Sequence, residues 1–442
     1  MNHAIAREFH FFSLLKFSLP TIIMMIFMSL YTIVDGIFIS RFVGTDALSA
    51  TNIVYPVVNI IIGLAVMLAT GGSAIVARQM GEGRLAEAKQ NFSFVVLTGV
   101  AVGIVISAVS IIFLEPICYA LGSSEKLIGY CKDYLGIMML FAPVSILQML
   151  FNTFFVTAGK PALGLALTVF AGLFNAVFDY VLIVPAQMGI KGAAYATAIG
   201  YCIPAVFGLA YFFFSKNPLR FCLPKFRGKI LVQSCLNGSS EMVTNLSSGI
   251  ITFLFNIIMM RYLGENGVAA ITIVLYGQFL LTALFLGFSM GVAPVFSYNY
   301  GSQNHAQMKR LFKICMWFVS VCSLLVFACS ILFASPLVSV FSPAGTPVYD
   351  IAVNGFVLFS FSYLFAGVNM FSSALFTALS NGFVSAAISF LRTFVFIVLG
   401  IFILPLVLEV NGVWLAVPFA ELLTLAVSCY FLKKKSSVYH YR

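Results

Sequence analysis

The chain has 442 residues, of which 61% are hydrophobic and 9% charged, and its mean hydropathy is +1.06. An ordinary soluble domain carries about 25% charge, so a water-facing surface cannot be built from this composition and a soluble enzyme is excluded. The 24 Lys and Arg against 14 Asp and Glu give a net charge of +10, which in a membrane protein is read by location before an anionic partner is invoked.

Arg7 and Lys16 precede an apolar stretch from Phe17 to Ser40, too long for the h-region of a cleaved signal. Apolar runs long enough to cross a hydrocarbon core of about 30 Å predict twelve helices: 14–40, 50–77, 92–114, 134–157, 161–184, 192–214, 231–260, 268–297, 312–335, 351–378, 383–404 and 412–432. The first carries Tyr31 and Asp35, four residues apart and so on one face. The fifth carries Asn175 and Asp179 in the same relation, and the sixth places Thr197 in the small-residue segment Gly192 to Gly200, where helices approach closely. A polar stretch, Ser215 to Lys229, with Pro218, Pro224 and five basic residues, marks a boundary. It divides the chain into an N-lobe (1–214), a linker (215–230) and a C-lobe (231–442). The seventh helix opens on Asn237-Gly-Ser-Ser-Glu241, where Glu241 either faces an interlobe cleft or sits as a first-turn acid on the helix dipole. Arg392 in the eleventh helix and Glu421 in the twelfth are expected to pair as a structural lock.

Compared with itself at an offset of 220, the chain pairs Arg41 with Arg261, Gly44 with Gly264, Gly71 with Gly291, Gly81 with Gly301, Pro116 with Pro336, Pro185 with Pro405 and Gly192 with Gly412. Matched Gly, Pro and Arg in one register mark a duplicated six-helix unit. Six is even, so both copies enter and leave on the same side, giving an all-α membrane protein of two parallel six-helix lobes. Such lobes can rock around a cleft, the geometry of alternating access. With the termini on the cytoplasmic side, 18 of the 24 basic residues fall inside, as the positive-inside rule requires. That accounts for the +10 and predicts a multi-pass protein of the cell membrane with both termini cytoplasmic.

A carboxylate at the bilayer centre costs about 2.5 to 3.5 kcal/mol on insertion scales, so one found there faces a cavity or a partner. The repeat sharpens the choice: the counterpart of Asp35 is Phe255 and that of Asp179 is Leu399, so only the N-lobe keeps these acids. If their faces meet, Asp35 and Asp179 cannot easily both be ionised, and one binds a proton reversibly. The oxygens of Asp35, Asn175, Asp179 and Thr197 suit Na⁺ equally, and the sequence leaves the two ions as alternatives. Occupancy would relieve the repulsion and favour one packing of the lobe.

Catalytic chemistry is not expected. No H-E-x-x-H, G-x-S-x-G or Walker motif is present, and His3, His10, His305 and His440 all fall in tails or loops. The nine cysteines include no C-x-x-C pair, and most read as small hydrophobes, with Cys118 and Cys131 the candidate external bridge. No cofactor is expected beyond H⁺ or Na⁺ as coupling ion.

Tyr31-x-x-x-Asp35, Arg41-Phe-Val-Gly44, Arg78-Gln-Met-Gly81-Glu-Gly-Arg84, its counterpart Tyr298-Asn-Tyr-Gly301-Ser-Gln-Asn304, Asn175-x-x-x-Asp179 and Gly192-Ala-Ala-Tyr-Ala-Thr197 together resemble the multidrug and toxic compound extrusion (MATE) family over essentially the whole chain. The resemblance implies a secondary transporter exporting organic cations and drugs in exchange for H⁺ or Na⁺. It also implies a cation site at Asp35, Asn175, Asp179 and Thr197 with Tyr31 beside them. Glu241 matches a helix 7 acid of the family, and Gln278 and Asn369 are candidates for contact with substrate. The expected partners are small organic cations and membrane lipid, with no nucleic acid, and the chain is expected as a monomer. Two other readings stay open: a flippase for lipid-linked oligosaccharide from the same superfamily, whose cleft should be basic, and a membrane receptor or scaffold that transports nothing.

Overall fold

Where water is absent, every backbone N–H and C=O must be satisfied within the segment, so apolar runs of this length have no alternative to helix. The computed structural model describes residues 4–442, and at Ile37, Ser40 and Thr45 the backbone alone; His3 lies outside the described residues. The chain folds into α1 (Phe11–Phe38, prolonged by a π turn at Ile39–Val43), α2 (Thr45–Gly81), α3 (Leu85–Ile112), α4 (Ile128–Leu140 with Ala142–Thr157), α5 (Pro161–Ile183) and α6 (Ile190–Phe214). The second six are α7 (228–263), α8 (265–301), α9 (His305–Leu332), α10 (Pro347–Ser360 with Tyr363–Ala378), α11 (Gly382–Ile403) and α12 (Pro405–Tyr439).

Among the described residues nine helices are long and apolar enough to span a bilayer, and counting the two bent pairs brings eleven. The twelfth comes from dividing the 74-residue run Gly228–Gly301 at Gly264, whose φ of 63° and ψ of −150° break the helix. Its repeat partner Gly44 has φ 123°, and only glycine takes such angles at no steric cost. Two expected straight helices are bent instead: α4 by 54° and α10 by 53°. In α4 the bend precedes Pro143, which sits in the first turn of the second piece, where a missing N–H costs nothing. The repeated prolines Pro116 and Pro336 lie in two short helices, Leu114–Ala120 and Ala334–Ser339, just after α3 and α9.

The lobes meet most tightly at the end of the bundle that carries both termini. There Gly71 of α2 lies on the Ser234 carbonyl of α7, and Gly238 of α7 on the Met67 carbonyl of α2. The related contact is Gly291 of α8 against Ser18 of α1, while Gly81 and Gly301 rest on the carbonyls of Tyr298 and Arg78. A methyl group at any of these glycines would collide with its neighbour. Small residues of this kind let helix backbones touch in lipid. The termini are tied in beside them: Gln307 Nε2 donates to the Phe9 carbonyl (3.1 Å), and the rings of His305 and His440 lie 4.4 Å apart.

Between α6 and α7 the chain is non-helical from 215 to 227 and straps onto the first lobe. Leu219 is fully buried, Phe221 stacks on Phe92 with centroids 5.0 Å apart, and the Cys222 N–H donates to Ser93 Oγ (3.0 Å). The candidate bridge between Cys118 and Cys131 is not formed: both are free, buried thiols, and Cys131 Sγ donates to the Ala50 carbonyl (3.8 Å).

Candidate functional site

The site in the first lobe is assembled by α1, α5 and α6. Gly192 on α6 admits the backbone of Leu182, and Gly200 lies against Ala171 and Asn175, so α5 and α6 run in close contact. That contact brings Asn175 Nδ2 to Thr197 Oγ1 at 3.4 Å. On the other side Gly172 of α5 packs under the ring of Phe27 of α1, which carries Tyr31 and Asp35 to the same place. Asp179 is fully buried, and Asn175 and Thr197 nearly so.

The carboxyl groups of Asp35 and Asp179 face each other. Oδ1 of Asp35 and both oxygens of Asp179 are buried and receive no hydrogen bond from the protein. Ionised carboxylates only accept. Desolvating each charge costs several kcal/mol before their mutual repulsion is added, so the pair requires a proton or a cation to be stable as packed. Tyr31, Tyr55, Tyr134 and Tyr201 all stand within electrostatic reach of Asp35, Tyr134 from a buried position and Tyr55 from an exposed one. One helical turn from the acids lies a cavity of about 10 Å³ lined by Tyr31, Gln148, Thr168, Asn175, Thr197 and Tyr201 together with Ala171, Gly172 and Gly200, with neither carboxylate among its linings. About 10 to 15 Å³ is the room one water needs. The space takes a water or a bare monovalent ion and excludes an organic molecule. Its linings are oxygen-rich, which fits a hard cation such as Na⁺ as well as a proton.

Two lining residues had not been singled out. Thr168 lies seven residues before Asn175, two helical turns away on the same face, and its Oγ1 has no partner; extending the periodicity backwards from Asn175 would have found it. Gln148 of α4 also has an unpartnered Oε1, but as one amide among leucines and methionines it carries no pattern.

Glu241 of α7 lines a second cavity of about 60 Å³ between the lobes, with Thr70, Ser73 and Thr153 from the first lobe and Met290 and Thr377 from the second. Drug sites generally occupy about 300 to 1,000 Å³, so this space is a closed form of anything that holds substrate. Gln278 and Asn369 are not among its linings. Gln278 of α8 accepts the hydroxyl of Thr282 through its own carbonyl (2.8 Å). Asn369 of α10 is buried in a polar lock: its Nδ2 donates to Glu421 Oε2 (2.7 Å), its Oδ1 accepts from Ser428 Oγ (2.9 Å), and Glu421 Oε1 accepts from Arg392 Nε (2.7 Å). The pairing of Arg392 with Glu421 is therefore present, and the π turn Leu391–Val395 contains the arginine that makes it.

A family model described as MatE matches the chain twice, over residues 20–181 and 242–402. The chain is 24% identical over 415 residues to the multidrug export protein MepA of Staphylococcus saprophyticus, over 91% of this chain and 88% of that one. A crystal structure of MATE in complex with MaL6 aligns with a TM-score of 0.93 at 21% identity, covering 99% of this chain and 98% of that one. The outward-facing structure of a multidrug resistance MATE family transporter of the MOP superfamily gives a TM-score of 0.91 at 22% identity, over 96% and 95% of the two chains. The matched segments cover well over half the sequence and fall once on each six-helix lobe, and the chain belongs to the MatE family, the multidrug and toxic compound extrusion transporters.

Proposed function

We propose that the chain is a secondary multidrug exporter that moves lipophilic organic cations out of the cell in exchange for H⁺ or Na⁺, through alternating access of its two lobes. The observation that carries this reading is the facing pair Asp35 and Asp179, three of whose four carboxylate oxygens are buried without a donor, one helical turn from a space the size of one ion. An ion arriving from the side of higher potential binds between the two carboxylates and removes their repulsion. α1, which carries Asp35, then packs more closely on α5, which carries Asp179; loss of the ion loosens that packing. Because α1 also abuts α8 through Ser18 and Gly291, its movement reaches the interface between the lobes. A ligand shifts such an equilibrium by its difference in affinity for the two states and by no more. The multidrug export named for the MepA relative supports the substrate class, and the acid at Glu241 suits a cationic cargo.

With 18 of the 24 basic residues on the side of the termini, that side is read as cytoplasmic. The glycine contacts close this end, so the conformation is read as one shut toward the cytoplasm.

The test is efflux of a fluorescent lipophilic cation from proteoliposomes under an imposed pH gradient or an imposed Na⁺ gradient. One gradient should drive efflux, and Asp35→Asn and Asp179→Asn should each abolish the driven component. Efflux by both variants at the unsubstituted rate overturns the proposed coupling site. No efflux under either gradient, with translocation of a lipid-linked sugar instead, overturns the drug-export reading.

A further inference from the structure

A third cavity, of about 1120 Å³, opens at the end of the bundle that carries both termini, between α2 and α3 of one lobe and the starts of α7 and α11 of the other. Four cationic side chains line it: Arg78, Arg84, Arg227 and Lys229. Two carboxylates answer them. Glu82 bridges Arg78 and Arg84, and Glu87 bridges Arg84 (3.2 Å) and Arg227 (3.1 Å). Lys229 is exposed and makes no ion pair among the described residues, so the groove keeps an excess of positive charge.

Two helix N-termini add to it. α7 begins at Gly228 and α11 at Gly382, and both residues line the groove. The start of α7 has no side-chain cap, whereas in α11 the Val384 N–H already donates to Asn381 Oδ1 (3.3 Å); free N–H groups and the helix dipole make such ends favourable to anions. Two buried polar atoms on the lining residues lack partners: Oγ of Ser380, and Oδ1 of Asn237, whose side chain is 4% exposed. The mouth is apolar, with Leu236 63% and Phe383 82% exposed. Cations at the level of the helix ends beside bare apolar side chains match the two halves of a lipid.

The internal repeat does not keep the charge of this space. At the positions 220 residues away, the wall formed by Arg227 and Lys229 is replaced by Arg7 and Phe9 of the N-terminal segment. Gln307, the counterpart of Glu87, donates to the Phe9 carbonyl, and Phe9, the counterpart of Lys229, is fully buried together with Ile5. Arg78 and Arg84 have the uncharged counterparts Tyr298 and Asn304. Of the four basic linings only Arg227 has a basic counterpart, Arg7.

We propose that this groove binds an anionic phospholipid with a hydroxyl-bearing headgroup of the phosphoglycerol class. The phosphate sits among Arg227, Lys229 and the first turns of α7 and α11, and accepts from Ser380 Oγ. A headgroup hydroxyl donates to Asn237 Oδ1, and the acyl chains lie along Leu236 and Phe383. Basic pockets between membrane helices at the leaflet surface hold anionic headgroups by this combination. The proposal is independent of the transported substrate and of the coupling ion.

The test is competition, in neutral detergent, between equimolar phosphatidylglycerol and phosphatidylcholine for the full-length protein, read by native mass spectrometry. The unsubstituted protein should retain phosphatidylglycerol preferentially. In Arg227→Gln/Lys229→Gln that preference should fall by roughly thirty-fold, since each cation near an anionic headgroup contributes about a factor of five. Lys229→Glu, which breaks no ion pair seen in the structure, should lower it without disturbing folding. Equal retention of the two lipids by the unsubstituted protein, or an unchanged preference in Lys229→Glu, overturns the proposal. A third arm adds glycerol 3-phosphate alone: no displacement of the lipid supports the site as a lipid site, and displacement at millimolar concentration shows a soluble phosphate site instead.

Discussion

Asp35 and Asp179 offer acceptors to each other and receive no donor, so an asparagine at either position supplies the missing N–H. A buried acceptor left unpaired costs about 1 to 3 kcal/mol, and removing one of two like charges adds to the gain. Asp35→Asn and Asp179→Asn are therefore expected to unfold at higher temperature than the unsubstituted protein in detergent at neutral pH, although they lose driven transport. A lower melting temperature in both would show that the acids are already satisfied. A charge without a donor inside an apolar bundle is costly, which is why these residues could be read from the chain. A charge inside an apolar span is visible locally, and its partners four residues away share its face, so Asp35, Tyr31, Asp179 and Asn175 were legible. The partners of Asn369 were not, because Glu421 and Ser428 lie more than fifty residues away and nothing in its own helix points to them.

The repeated glycines show how element pairing is written into the sequence. Their spacing marked them as special, but whether each served a turn or a contact became clear only once the helices were placed: Gly44 and Gly264 turn the chain, whereas Gly71, Gly81, Gly291 and Gly301 are contact points. Glycine to alanine in a free helix face stabilises by about 0.5 to 1 kcal/mol. At Gly249, which has nothing within 4 Å of an added methyl, that gain is expected. At Gly71 the methyl would strike the Ser234 carbonyl, and overpacking costs about 1 to 3 kcal/mol. Gly71→Ala should thus open the end bearing the termini, read as increased thiol labelling of a cysteine introduced at Ser234, while Gly249→Ala leaves labelling unchanged. Equal labelling in the two variants would remove the glycine contacts from the closure of that end. The loop between α2 and α3 gives an element-scale pH prediction. Partial burial pushes the Glu82 carboxyl up, but hydrogen bonds from Arg84 and Arg78 outweigh it and hold the group below its ordinary value of 4.5. A depressed value means the clasp is at full strength above 4.5 and is lost as pH falls through the lower folded value. Amide protection factors in residues 78–87 should fall on acidification into that range, and Glu82→Gln should abolish the fall.

At the scale of the whole molecule the two lobes repeat one backbone plan but divide the chemistry. Moving 220 residues from the linings of the small first-lobe cavity, Gly172 becomes Arg392 and Tyr201 becomes Glu421. Where the proposed coupling site of the first lobe would take a mobile cation, the second carries a tethered one, the Arg392 guanidinium on a carboxylate that is 3% exposed. The duplication could be read from sequence because it survives as a fixed register. The pairing of Arg392 with Glu421 was legible as well, as opposite charges in neighbouring spans; the share of Asn369 and Ser428 in it was not, since that depends on which side chains meet across α10 and α12. The tethered cation makes a prediction that belongs to the pseudo-symmetry. Arg392→Ala leaves Glu421 buried with only Asn369 to answer it, at a cost of about 3 to 5 kcal/mol, and that carboxylate should then recruit a proton or Na⁺ from solution. Measured in an Asp179→Asn background, which silences the first-lobe pair, the melting temperature of Arg392→Ala should rise with added Na⁺ or with falling pH. Each tenfold change in ligand above its dissociation constant is worth about 1.4 kcal/mol. The double replacement Arg392→Met/Glu421→Gln removes both charges and should restore stability without ion dependence. An Arg392→Ala protein that melts as before and ignores both ions would mean that the arginine does not stand in for a cation.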